Sequence, residues 1–161
     1  MPTNTYDVIQ SYTFASAGGS ITLNTLPTNY THLRIVNVRP AVSSSAGRTA
    51  LRFNGDSGAN YHYLQIGSTN TSTTSDTADS VTYALSGYNA GSNGMEMIDI
   101  HGYRSTNFNK SIYSHLGDTY PERGWLVSTW NNTAAITTIE VFCLSGTFPA
   151  GTNITLYGMV S

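Results

Sequence analysis

Apolar and polar residues alternate with a period of two in one short run after another, and each run is cut off by Gly, Pro or Asn. Val81, Tyr83 and Leu85 form one such run and Ile98 and Ile100 the next. Ile112 and Leu116 share a third face, with Tyr113 and His115 pointing the other way, and Ile154, Leu156 and Gly158 form the last. Roughly ten such runs fit the usual strand length, and no stretch of ~11 residues carries a helical period. Many short strands with Gly- and Pro-rich turns predict an all-β chain folded as an antiparallel β-sandwich. At 161 residues a jelly roll fits best, with a lectin-like or immunoglobulin-like sandwich as the alternative.

Turn chemistry predicts how the runs connect. Leu51 and Phe53 alternate with Arg52 up to Asn54-Gly55, and Tyr61 and Tyr63 alternate with His62 after Gly58. Asn-Gly suits a type I′ turn, in which both central residues need positive φ, so Leu51 to Leu64 reads as a β-hairpin. Gly18-Gly19 before Ile21-Thr22-Leu23 and Asn131-Asn132-Thr133 before Ile136 suggest two more. Tyr30 to Arg39 forms the longest early strand, and Pro40 ends it. The low-complexity run Ser68 to Asp76 reads as an exposed loop.

Composition narrows the function. Only 10% of residues are charged, the formal net charge is −2, and Ser, Thr and Asn make up about a third of the chain. No basic patch is available for phosphate backbones, so nucleic acid is not an expected partner. No apolar stretch approaches the ~18 residues of a membrane helix. The N-terminal residues carry neither a basic region nor an apolar run of the secretory kind, so the expectation is synthesis in a cytoplasm. The single Cys143 shares a strand face with Ile139 and Val141 and reads as a buried, inert thiol.

Catalytic constellations are hard to find. His32, His62, His101 and His115 sit in separate strands, with no metal-ligand spacing between them. Asp56 in the Asn-Gly turn suits an Asx turn better than a calcium loop. Asp99, Asp118 and Glu122 could supply the paired carboxylates of a glycosidase, but nothing in the sequence sets the separation of about 5–10 Å such chemistry needs. The expectation is therefore a protein without catalysis, metal or cofactor. Tyr103, Tyr113, Tyr120, Trp125 and Trp130 could stack on sugar rings, and core or interface filling is the competing use of such residues.

The run LRFNGDSGANY, together with LPTNYTHLRI at Leu26–Ile35 and FPAGTNITLYGM at Phe148–Met159, resembles a family of small tailed-bacteriophage virion proteins. Those chains share apolar-Pro-x-x-Tyr-Thr-x-Leu, then Leu-Arg-Phe-Asn-Gly-Asp, then Gly-Thr-x-Ile-x-Leu-Tyr-Gly. The resemblance implies a virion structural role, with the major capsid protein or other virion proteins as partners and assembly as a homotrimer. A capsid decoration or cement protein is the first reading. A tail-fibre or receptor-binding module that holds host glycan is the alternative, although no shaft-like repeat precedes the sandwich here.

Two segments are candidates for partner contact. Residues 1–11 read as an N-terminal arm outside a single sandwich domain of residues 12–161, with Tyr6, Val8 and Ile9 as anchors that add a strand to a partner. Tyr120-Pro121-Glu122-Arg123-Gly124 is the one loop joining an aromatic to both charges, which makes Tyr120, Glu122 and Arg123 the candidate recognition residues.

Overall fold

The computed structural model describes residues 6–40, 47–69, 72–87, 94–118 and 122–160. Among these are twelve strands and no helix. They are β1 (Tyr6–Thr13), β2 (Ser20–Leu23), β3 (His32–Arg39), β4 (Thr49–Phe53), β5 (Tyr61–Thr69), β6 (Ser72–Val81), β7 (Ala84–Leu85), β8 (Gly94–His101), β9 (Lys110–Asp118), β10 (Glu122–Trp130), β11 (Ile139–Cys143) and β12 (Asn153–Met159). Eight form one sheet in the order β1-β12-β3-β8-β9-β10-β5-β6, and four form a second in the order β2-β11-β4-β7. Every strand pairing among them is antiparallel. The fold is the expected antiparallel β-sandwich. A jelly roll is built from eight strands in two Greek keys, whereas the strands here divide eight and four.

The core follows from strand parity. Leu33 and Ile35 of β3, Ile98 and Ile100 of β8, Ile112 of β9 and Ile154 and Leu156 of β12 turn inward from the large sheet. They meet Leu23, Leu51, Phe53, Ile139 and Val141 of the small one. Phe53, Tyr61 and Trp130 pack ring to ring, with centroids 5.5 to 6.3 Å apart.

Three predicted hairpins are instead crossings between sheets. Asn54 and Gly55 do adopt positive φ, 53° and 69°, and the Asp56 amide donates to the Phe53 carbonyl at 2.8 Å, as a type I′ turn requires. Yet β4 pairs with β11 and β7, while β5 pairs with β10 and β6. Five further residues, Asp56 to Asn60, make a second turn that carries the chain to the opposite layer. There Phe53 and Tyr61 face each other across the core rather than lying side by side. Likewise β1 and β2, on either side of Gly18-Gly19, belong to different sheets, as do β10 and β11 around Asn131-Asn132-Thr133. The Asn54 side chain joins two of these crossings, donating to the Ala135 carbonyl at 2.8 Å and accepting from the Thr137 amide at 2.8 Å.

Two other expectations need correction. The predicted loop Ser68 to Asp76 lies mostly in strands, because β5 and β6 form a hairpin with Thr69 opposite Ser72. Its Thr and Ser side chains suit an edge strand whose faces meet water, and β-branched Thr favours the extended backbone. The predicted arm of residues 1–11 also overlaps the sandwich. Tyr6–Thr13 is β1, paired with β12 from Tyr6 opposite Met159 to Thr13 opposite Asn153. The few apolar groups there cover an existing sheet edge, and Ile9 packs on the core. Residues 1–5 lie outside the described residues.

Candidate functional site

The side chains that point away from the core of the large sheet form a lattice whose rows follow from the strand register. One row runs Val36, Met97, His115, Trp125, Ile66 across β3, β8, β9, β10 and β5. The next runs Val8, Tyr157, Arg34, Asp99, Tyr113, Val127, Leu64 from β1 to β5. Leu64, Ile66, Tyr113 and Trp125 are all exposed, and Trp125 retains 64% of its surface. A sheet face turned to water is ordinarily polar, so this one is a candidate contact surface.

Within it a cleft of about 540 Å³ opens where β9, β10 and β5 lie side by side. Trp125 forms one wall, flanked by Ile66 and by His115, whose ring meets the indole edge-on at 6.5 Å. Arg123 stands two residues earlier on the same face of β10, and Gly117 lies opposite it on β9. A Cβ placed on Gly117 would meet nothing within 4 Å, so the missing side chain leaves open space. Ser68 and Thr73 line the far side with hydroxyls.

The predicted partner residues separate into two places. Tyr6 and Val8 lie exposed on β1, where Tyr6 accepts a hydrogen bond from Arg34 at 3.1 Å, while Ile9 turns inward. Arg123 lines the cleft, five strand positions away, or about 24 Å at the usual strand spacing. Glu122 opens β10, and Tyr120 lies outside the described residues. Of the aromatics considered for stacking, Tyr103 and Trp130 are core residues, whereas Tyr113 and Trp125 face solvent. Ile66 and Gly117 are not among the residues singled out from the sequence, and His115 was weighed there only as a metal ligand. Their signal was a strand apolar on both faces, as in Trp125-Leu126-Val127 and Tyr63-Leu64-Gln65-Ile66.

Several other chemistry-bearing groups are committed to structure. Arg34 grips Asp99 with two bonds of 2.5 and 2.6 Å. Asp99 and Asp118 lie five residues apart in register, about 17 Å along the strands, too far for a glycosidase pair. His32 and His101, separate in sequence, touch with ring centroids 4.8 Å apart. No group of three or more metal-ligating side chains occurs among the described residues. Lys110 is fully buried, and its ammonium donates to the carbonyls of Ser105, Phe108 and Thr133. Asp56 forms the expected Asx turn with Gly58 at 2.9 Å. Cys143 is half-buried, and burial pushes its thiol up to about 11, which keeps it protonated and unreactive at neutral pH.

No protein-family model matches the chain, and no curated protein matches it. Among solved structures it is similar to an exo-inulinase from Aspergillus awamori, at 17% identity and a TM-score of 0.49 over 96% of this chain. The chain spans 29% of that enzyme's length. An alginate lyase in complex with alginate tetrasaccharide gives 10% identity and a TM-score of 0.30, covering 91% of this chain and 78% of the lyase. A protein of unknown function from Shewanella oneidensis gives 9% identity and a TM-score of 0.25, with 99% and 77% covered.

Proposed function

We propose that this chain is a non-catalytic bacteriophage virion protein, a capsid decoration or cement protein, and that the edge strand β1 attaches it to the major capsid protein or another virion subunit. The carrying observation is the contrast between the two edges of the large sheet. The β6 edge is blunted by Ser, Thr and the acids Asp76 and Asp79, the usual defence against strand pairing. The β1 edge instead presents Tyr6 and Val8 before a register shift between Val8 and Gln10 turns the strand. A short edge with alternate exposed side chains suits addition of one strand from a partner, where main-chain bonds give affinity and side chains give specificity. The motif resemblance supplies the virion setting and the homotrimer, which sedimentation of the purified chain reads directly.

The test uses particles that lack the protein. Tyr6→Asp and Val8→Asp place a charge on the exposed edge and should weaken co-sedimentation with those particles at least tenfold while circular dichroism stays unchanged. Full-strength binding by both folded variants overturns the edge as the attachment site.

A further inference from the structure

We propose that the cleft between Trp125 and Arg123 is a binding site for an acidic saccharide. It lies across the sheet from the β1 edge and does not depend on how the chain is attached. Trp125 exposes more of its surface than any other large apolar residue described, yet its neighbours Ile66 and His115 fix it in a row of the sheet. An indole held with most of its surface exposed can offer the negative side of its quadrupole to the C–H hydrogens of a sugar ring. Gly117 supplies the room, since any larger side chain there would stand beside Arg123 on the floor of the cleft.

The charge selects the sugar. Arg123 lines the cleft and makes no ion pair or hydrogen bond with a described residue. No acidic side chain lines the cleft among the described residues. A guanidinium whose donors no described residue takes matches the planar carboxylate of a uronic or sialic acid with two parallel bonds. The Ser68 and Thr73 hydroxyls and the His115 ring are within the same cleft for the sugar's own hydroxyls. Its volume of about 540 Å³ falls in the range of small-ligand sites, and its mostly apolar lining with few polar groups is their usual make-up.

The chain has two tryptophans, and Trp130 is buried, so iodide quenching reports on Trp125. The probes are a galacturonate tetramer, sialyllactose and neutral cellotetraose, titrated to ~10 mM, which reaches millimolar dissociation constants. At least one acidic probe should protect Trp125 saturably, with the neutral one at least tenfold weaker. Calorimetry should then show that Trp125→Ala and Gly117→Val abolish binding and that Arg123→Gln removes the preference for acid. A Cβ on Gly117 meets nothing within 4 Å and Val favours a strand, so the thermal midpoint of Gly117→Val should be no lower than the parent's. No saturable binding by either acidic probe, equal binding of the neutral sugar, or parent-like affinity in folded Gly117→Val overturns the site.

Discussion

The indole nitrogen of Trp130 donates to Oδ2 of Asp56 at 2.8 Å, which ties the β4–β5 crossing to the end of β10. The same carboxylate accepts from the Gly58 amide at 2.9 Å and from the Asn60 side chain at 3.0 and 3.2 Å. The Asp56 carbonyl receives the Tyr61 hydroxyl, which in turn accepts the Phe53 amide. One turn therefore satisfies the polar atoms of the aromatic cluster at the centre of the sandwich.

Removing that acceptor should be costly. Asp56→Ala leaves the indole N–H of a buried Trp130 without a partner and should destabilise the fold by about 1–3 kcal/mol in urea unfolding. Asp56→Asn keeps an acceptor and should cost less. Burial raises the Asp56 carboxyl, but the bonds from Trp130, Gly58 and Asn60 outweigh it and leave the pKa below its ordinary value. The unfolded chain then binds this proton first on acidification. The stabilisation is complete above the unfolded carboxylate value near pH 4 and is lost as pH falls through the lower native value. The parent should accordingly lose more stability than Asp56→Asn between about pH 4 and pH 2. Parallel curves would show that the carboxylate charge does not matter.

His32 carries a second pH dependence. Its Nδ1 accepts the Gly102 amide at 3.0 Å, which is possible only while that nitrogen is unprotonated. Partial burial lowers its pKa, the adjacent His101 pushes the same way, and Asp99 opposes them. A lowered histidine contributes stability that is present above the unfolded value near 6.5 and lost as pH falls through the native one. Thermal midpoints measured from pH 7.5 to pH 5 should fall less steeply in His32→Gln than in the parent. An identical slope would move the effect to another histidine.

Strand identity was legible in the sequence because burial on one face imposes the period of two. Sheet membership was not. Asn54-Gly55 looks the same whether the chain folds back beside itself or crosses the sandwich, since both routes need positive φ at the two positions. What decides is where Phe53 and Tyr61 bury, and that depends on Trp130, far along the chain. Two of the sequence motifs meet in the same non-local way. The ring of Tyr30 lies on Gly158, where a Cβ would stand 2.4 Å from it, so the last Gly of Leu-Tyr-Gly makes room for the Tyr of Tyr-Thr-x-Leu. The cleft was half legible. Trp125 and Trp130 are five apart on one strand and must face opposite ways, but only the register of β9 and β5 brings Gly117, His115 and Ile66 beside the exposed one.

A charge pair is sealed between the sheets. Arg39 and Glu96 are 4% and 1% exposed, and the guanidinium donates to the carboxylate. Glu96 also accepts from Asn37 at 3.0 Å and Thr49 at 3.1 Å, and Gly87 packs so close that a Cβ there would sit 2.0 Å from its Oε1. Burial raises the Glu96 pKa against the pull of Arg39, Thr49 and Asn37. Among the described residues Nε and Nη1 of Arg39 find no acceptor, so within that part of the chain the pair is incompletely satisfied. Removing one partner strands the other's charge away from water. Arg39→Met and Glu96→Leu should each cost about 3–5 kcal/mol, whereas the double variant should cost far less than their sum, because it removes both desolvated charges together. Urea unfolding of the four proteins in a double-mutant cycle gives the coupling directly. Additive single effects would show that the two side chains act by filling volume and not as a pair.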